Sequence, residues 1–312
     1  MATATPPRIT QTPEPTRHPQ HHWGTDALLV LMAVIWGVNY IVVKLGTGFM
    51  TPLAFNGARV AIAAVVLAVI VAATRRAWPG GRDALVLLAL GALGNGLYQF
   101  FFIEGLARTR AGTTALILAA SPAFMAIIGR ILGVERATGR KVMGILASLL
   151  GIALVVFGTT RPRGAETSAI GSTFAGAMLV LAACLCWSLY TVLLKPYTER
   201  IEGLTLSAVT MIGGAVPLLA VASGEMAHTS WGALTPGAWG ALAYSGLLAL
   251  ALAYLFWYRG VRVLGPTRTA MYSNLQPVIA LLVAWPVLGE VPTVVQLAGA
   301  VAIMLGILLT RA

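Results

Sequence analysis

The chain has 312 residues, of which 58% are hydrophobic and 10% charged, and its mean hydropathy is +0.84. Soluble domains carry about 25% charged residues, so this composition excludes one and points to a chain whose partner is the lipid bilayer. A formal charge of +11 would suit nucleic acid, but where those charges fall excludes that reading, as follows below.

Residues 1–26 are rich in Pro, Thr, His and Gln and contain no apolar run, so a disordered tail is expected rather than a signal peptide. Apolar stretches then predict spans at roughly 27–46, 53–73, 84–104, 112–133 and 140–158. After a polar linker at 159–170, further spans are predicted at 172–195, 204–222, 238–258, 267–288 and 293–310. The fold class expected is therefore an all-α polytopic membrane protein of ten transmembrane helices, with five in 27–158 and five in 171–312.

Polar groups within these spans need partners or a wet cavity, because the bilayer core supplies no water. The first span offers Trp36 and Asn39 at helical spacing. The second holds Arg59, which is expected to snorkel toward the interface or to pair with a backbone carbonyl in a structural role. In the third, Asn95 and Gln99 stand four apart on one helical face, with Gly91, Gly94 and Gly96 allowing close approach. Trp187 and Tyr190 follow in the sixth span, and Tyr254 and Trp257 in the eighth. Together they predict a central, neutral, aromatic-walled cavity for a small-molecule substrate, with cross-helix packing as the plainer reading of the amides.

Pro122 in the fourth span and Pro277 in the ninth lack the N–H that would bond the carbonyls of Leu118 and Ser273. Both helices are expected to kink there, beside Ser121, Asn274 and Gln276, which become candidate substrate contacts, while the prolines become candidate hinges. Glu135 and Glu290 each lie thirteen residues past one of these prolines and are expected to latch a gate or favour a helix N-terminus. Glu104, which closes the third span, is the carboxylate nearest the expected cavity. Gly144, Ser148 and Gly151 form a small-residue stripe that Gly299, Ala302 and Gly306 repeat, suited to packing the halves together or to a homodimer seam.

The two halves carry one pattern twice. Trp36 with Lys44 eight residues later returns as Trp187 with Lys195, and Ser121–Pro122 returns as Gln276–Pro277. Five spans is an odd number, so the second copy is expected to sit upside down relative to the first, the architecture of secondary transporters with a midplane site. With the amino terminus inside, fourteen of the 21 Lys and Arg fall in inner segments and four, Arg108, Arg110, Arg161 and Arg163, in outer ones. This is the positive-inside pattern, and it predicts a cell (inner) membrane protein with both termini cytoplasmic.

At the level of motifs the chain resembles the drug/metabolite transporter superfamily, EamA type. The resemblance is carried by AVIWGVNYIVVK, AFNGARVAIAA, GLARTRAGTTALILAASPAFMAIIGRILGVE and GILASLLGIALVVFG in the first half. In the second half it is carried by CLCWSLYTVLLK, LGPTRTAMYSNLQPVIALLVAWPVLGE and LAGAVAIMLGILL. It covers residues 27 to 311 and implies two inverted five-helix repeats and export of amino acids or related small metabolites. No catalytic constellation, cofactor loop or metal-ligand spacing is present, and Cys184 and Cys186, two apart on a helix, point in different directions. Neither enzyme activity nor a cofactor is expected, and the alternative to a transporter is a passive channel or a non-transporting receptor or scaffold.

Overall fold

A computed structural model describes residues 23–133, 139–159 and 167–311, and among them every regular element is helical. The first half comprises α1 (Trp23–Gly46), α2 (Pro52–Ala73), α3 (Gly81–Gly91), a π-helical segment (Ala92–Leu97), α4 (Tyr98–Arg108), α5 (Ala111–Leu118), α6 (Ser121–Ile131) and α7 (Gly139–Thr159). The second comprises α8 (Thr167–Arg200), α9 (Gly203–His228), α10 (Pro236–Ala243), a second π segment (Tyr244–Leu252), α11 (Ala253–Leu264), α12 (Pro266–Tyr272), α13 (Leu275–Leu288) and α14 (Val294–Arg311). The first helix begins at Trp23, four residues ahead of the expected start, and α8 runs five residues past the expected end. Glu135 and most of the expected tail and linker lie outside the described residues.

Eight stretches among the described residues are long and apolar enough to cross a membrane: Trp23–Gly46, Pro52–Ala73, Gly81–Arg108, Ala111–Ile131, Phe174–Arg200, Gly203–His228, Pro236–Leu264 and Thr269–Leu288. Large apolar side chains such as Val65, Val216 and Leu282 stand exposed along them, as lipid-facing surface requires. Local chemistry sets several ends. Pro52 and Pro236 open helices at positions where a missing N–H costs nothing, the latter behind Thr235, whose side chain accepts from the Ala238 N–H. Gly289, at φ +66°, closes α13 in the left-handed conformation, with the Glu290 N–H reaching back to the Ala284 carbonyl.

Packing runs chiefly between the halves, and it is reciprocal. Helix α2 packs on α9, and α7 on α14; α4 on α8 is matched by α1 on α11, and α9 on the first π segment by α2 on the second. The pairing of α1 with α13 is matched by that of α6 with α8. Gly151 and Gly299, from the two small-residue stripes, face one another within the chain: a Cβ on either would lie 2.7 Å from the other's carbonyl oxygen.

The expected kinks are full breaks. Helix α5 stops at Leu118 and α6 starts at Ser121, while α12 stops at Tyr272 and α13 starts at Leu275. The carbonyl of Leu118 accepts from the Ser121 hydroxyl at 2.5 Å, and that of Ser273 from the Gln276 N–H at 3.0 Å. The proline-freed acceptors are thus satisfied locally at both breaks.

Candidate functional site in the central cavity

The breaks and the second π segment border a cavity at the centre of the bundle, with a volume of about 50 Å³. Helix α1 contributes one face, because Trp36, Asn39 and Tyr40 recur at spacings of three and four. Helix α4 contributes Tyr98, Gln99 and Phe102, and α11 contributes Tyr254 and Trp257. Trp187 reaches in from α8, Ser121 from the first break, and Ser273 and Gln276 from the second.

One wall is aromatic. Trp187 lies with ring centroids 5.2 Å from Trp257 and from Tyr98, 5.5 Å from Tyr254 and 5.9 Å from Trp36. These tilted and edge-on arrangements suit ring quadrupoles, each pair contributing about 0.5–1.5 kcal/mol beyond its buried area. The Trp36 indole N–H donates to the Ala249 carbonyl at 2.8 Å, inside the second π segment. π-helical turns shift the hydrogen-bond ladder, and this one presents a backbone acceptor to the facing helix. Tyr40 donates to Gln276 Oε1 at 2.9 Å, tying α1 to the second break.

The other wall holds Arg59, which is wholly buried. Its Nε donates to Asn56 Oδ1 at 2.8 Å, Nη1 to Ser245 Oγ at 2.8 Å and Nη2 to Gln99 Oε1 at 2.6 Å. Its guanidinium carbon also stands 5.3 Å from the Phe102 ring centroid. Asn56 in turn donates to the Gln99 carbonyl at 2.9 Å, and Gln99 Nε2 lies 3.4 Å from the Tyr254 hydroxyl. Arg59 neither snorkels nor pairs with a carbonyl; neutral side chains hold it at the cavity lining, and the expected neutral lining contains a cation. The signal was available: a charged residue eight positions into an apolar helix, three after an Asn, is by default a functional residue.

Of the expected substrate contacts, Trp36, Asn39, Gln99, Ser121, Trp187, Tyr254, Trp257 and Gln276 line this cavity. Three others sit elsewhere. Asn95 lies in the first π segment against α9, where a Cβ at Gly214 would fall 2.4 Å from it. Tyr190 is buried beneath Trp187, its hydroxyl 2.5 Å from that of Tyr258. Asn274 is buried at the second break and outside the lining. Tyr40, Tyr98 and Phe102 were not singled out in the sequence, although Tyr40 shares a face with Trp36 and Phe102 lies three residues from Gln99.

Beyond one end of the cavity, charged and polar side chains cap the helices, within the first half and between the halves. Lys44 Nζ donates to the carbonyls of Leu106, Ala107 and Thr109 at 2.9, 3.1 and 2.7 Å, capping the C-terminus of α4. Glu290 accepts from the Ala111 and Gly112 N–H groups at 3.2 and 3.3 Å, capping α5 from the opposite half. Gln296 donates to Thr113 Oγ1 at 3.0 Å beside it. Pro122 and Pro277 stand at the two helix breaks, and Glu104 pairs with Arg108 on its own helix, away from the lining.

Comparison with known proteins agrees with this geometry. A solved crystal structure superposes with a TM-score of 0.66 at 17% identity, covering 92% of this chain and 98% of the other, which shows the fold alone. Similar proteins include the transporter YyaM of Bacillus subtilis, 28% identical over 92% of this chain and 93% of its own. The probable terminal-alkyne amino-acid exporter of Streptantibioticus cattleyicolor is 27% identical over 90% of this chain and 91% of its own. The probable amino-acid metabolite efflux pump of Salmonella typhimurium is 27% identical over 90% and 92%. The profile of the EamA-like transporter family matches twice, at residues 23–157 and 174–312. With two copies of that unit spanning almost its full length, the chain belongs to the EamA-like transporter family, a multi-pass membrane protein built for transport.

Proposed function

We propose that the chain exports small amphipathic metabolites, amino acids and related compounds, by alternating access through the central cavity. The observation that carries this reading is the cavity itself: both halves build it, aromatic rings line one side, and hydrogen-bonding groups line the other. The ten helices then form two inverted five-helix repeats, with α7 and α14 supplying the fifth and tenth spans. The reciprocal packing between halves supports a pseudo-two-fold relation, and an odd number of spans per repeat makes that relation an inversion. The named functions of the Streptantibioticus and Salmonella relatives support amino-acid-like cargo and outward direction.

Under this reading, the Lys44 and Glu290 caps close the outer end, and opening requires them to part from α4 and α5. The two breaks act as the hinges, since each already divides its helix beside the cavity. Glu135 takes the corresponding latch role on the inner side. Among the described residues no carboxylate or histidine lines the cavity, so movement follows the substrate's own gradient without obligatory proton exchange. The protein resides in the cell (inner) membrane with both termini cytoplasmic, as the distribution of Lys and Arg supports.

Topology and direction are tested together in cells producing the protein. A reporter active only outside is expected to work after Thr160 and to fail after Gly80 and after Ala312. Cells producing the protein are expected to tolerate toxic amino acids and their analogues at raised concentrations. The same reporter signal after Thr160 and Ala312 would overturn the inversion, and unchanged tolerance across the series would overturn export of this cargo.

A further inference from the structure

We infer that Arg59 is the anchor for a substrate carboxylate, so that the cavity selects small molecules with a single carboxylate and an apolar or aromatic body. This rests on the reading of the cavity as the transport site. A guanidinium has five N–H donors, and the three hydrogen bonds to Asn56, Ser245 and Gln99 commit three of them. All three acceptors are neutral, so the positive charge is held in place without being cancelled. Among the described residues no carboxylate lines the cavity, and Glu199 and Glu225 lie on α8 and α9 away from it. Asp26 meets Tyr272, Asp83 meets Arg200, Glu104 meets Arg108, Glu202 meets Arg76 and Glu290 meets backbone. Among the described residues, Arg59 is the only charged side chain that faces the cavity.

A buried cation at membrane depth is costly, and a site that keeps one without a counter-charge is matched to a guest that brings it. A guest without an anionic group would leave the guanidinium unpaired, and a second carboxylate would find no cation to meet it. A single carboxylate pairs with the guanidinium and gains charge-assisted hydrogen bonds from the planar fork. The Asn56–Gln99–Tyr254 network fixes the orientation of that fork in advance. Across the cavity, Trp36, Trp187 and Trp257 provide apolar surface for the body of the molecule. Two lining residues keep unused polar capacity, the Oδ1 of Asn39 and the indole N–H of Trp257, both buried and without a partner. An α-ammonium group near the carboxylate would donate to the Asn39 oxygen, while the Trp257 N–H would serve an acceptor such as a carboxylate oxygen.

The test compares carboxylates with their own carboxamides, which keep the body and lose the negative charge. L-leucine, 4-methylpentanoate, L-phenylalanine and 3-phenylpropanoate, each beside its amide, are titrated against the purified protein by tryptophan fluorescence and as competitors of flux in proteoliposomes. At least one carboxylate is expected to bind about 100-fold more tightly than its amide. Arg59→Gln is expected to bring that ratio near one, and Arg59→Lys, which keeps the charge without the fork, to an intermediate value. Should Arg59→Gln fail to fold, Ser245→Ala keeps the cation but frees it to move, and is expected to weaken carboxylate binding about three- to tenfold. Amides that match their acids, or a panel in which no carboxylate binds, would overturn the assignment of Arg59. Saturable flux of amides would do so while leaving the transporter reading intact, whereas unsaturable leakage of every solute would remove that reading itself.

Discussion

Gly213→Val is expected to abolish folded protein, and Gly91→Val to do the same from the opposite side of one contact. A Cβ at Gly91 would stand 2.1 Å from the Thr210 carbonyl oxygen, and one at Gly213 would stand 2.3 Å from that of Leu88. Both obstacles are backbone, so no side-chain rotation relieves them. The crossing joins α3 and the first π segment to α9, which also packs along α2, so moving one pair disturbs another. Overpacking of this kind costs about 3 kcal/mol or more. Gly224, on the same helix α9, has open space where its Cβ would lie, and Gly224→Ala is expected to be neutral or slightly stabilising. Yield of monodisperse protein in detergent and its thermal unfolding decide the matter. Normal yield of Gly213→Val would mean that the two backbones do not meet as described.

Trp187→Leu is expected to reduce flux per folded molecule more than tenfold, equivalent to at least about 1.4 kcal/mol of lost substrate interaction. Five rings, those of Trp36, Tyr98, Tyr190, Tyr254 and Trp257, meet this indole at 5.2 to 5.9 Å. Among the described residues no other ring touches so many, so its loss both enlarges the cavity and frees its neighbours to move. Trp285, 60% exposed on the outside of α13, is the matched control, and Trp285→Leu is expected to transport at the parental rate. Flux must be normalised to folded protein, because removing a buried indole also lowers stability by about 3 kcal/mol or more. A Trp187→Leu protein that folds and keeps the parental rate would remove the aromatic wall from the site.

Much of this architecture is written in the sequence in a form that physics can read. A proline inside a helix removes one donor and blocks one carbonyl wherever it occurs, so Pro122 and Pro277 announce the breaks at Leu118 and Tyr272. The aromatic wall follows from helical spacing, as with Trp36 and Tyr40, or Tyr254 and Trp257. The π segments were not legible. Gly94 and Gly96 give the first a local reason, but Tyr244–Leu252 has little to distinguish it from an α-helix, and packing in the bundle decides its form. That omission explains the separation of Asn95 from Gln99. Four residues apart share a face only at 3.6 residues per turn, and the wider turn over Ala92–Leu97 leaves Gln99 at the cavity and turns Asn95 toward α9. Arg59 was misjudged for another reason. Two of its three side-chain partners, Ser245 and Gln99, come from 186 and 40 residues away, so α2 considered alone supplies only Asn56.

Counterflow in proteoliposomes tests alternating access through this cavity most directly. Vesicles loaded with unlabelled L-leucine or L-phenylalanine are diluted into the labelled compound, with pH and sodium equal on both sides. The expected result is transient uptake above equilibrium that saturates with concentration, depends on the unlabelled compound inside, and is lost in Trp187→Leu vesicles. Uptake that rises linearly without saturation and ignores the internal load would contradict the account and identify a passive pore.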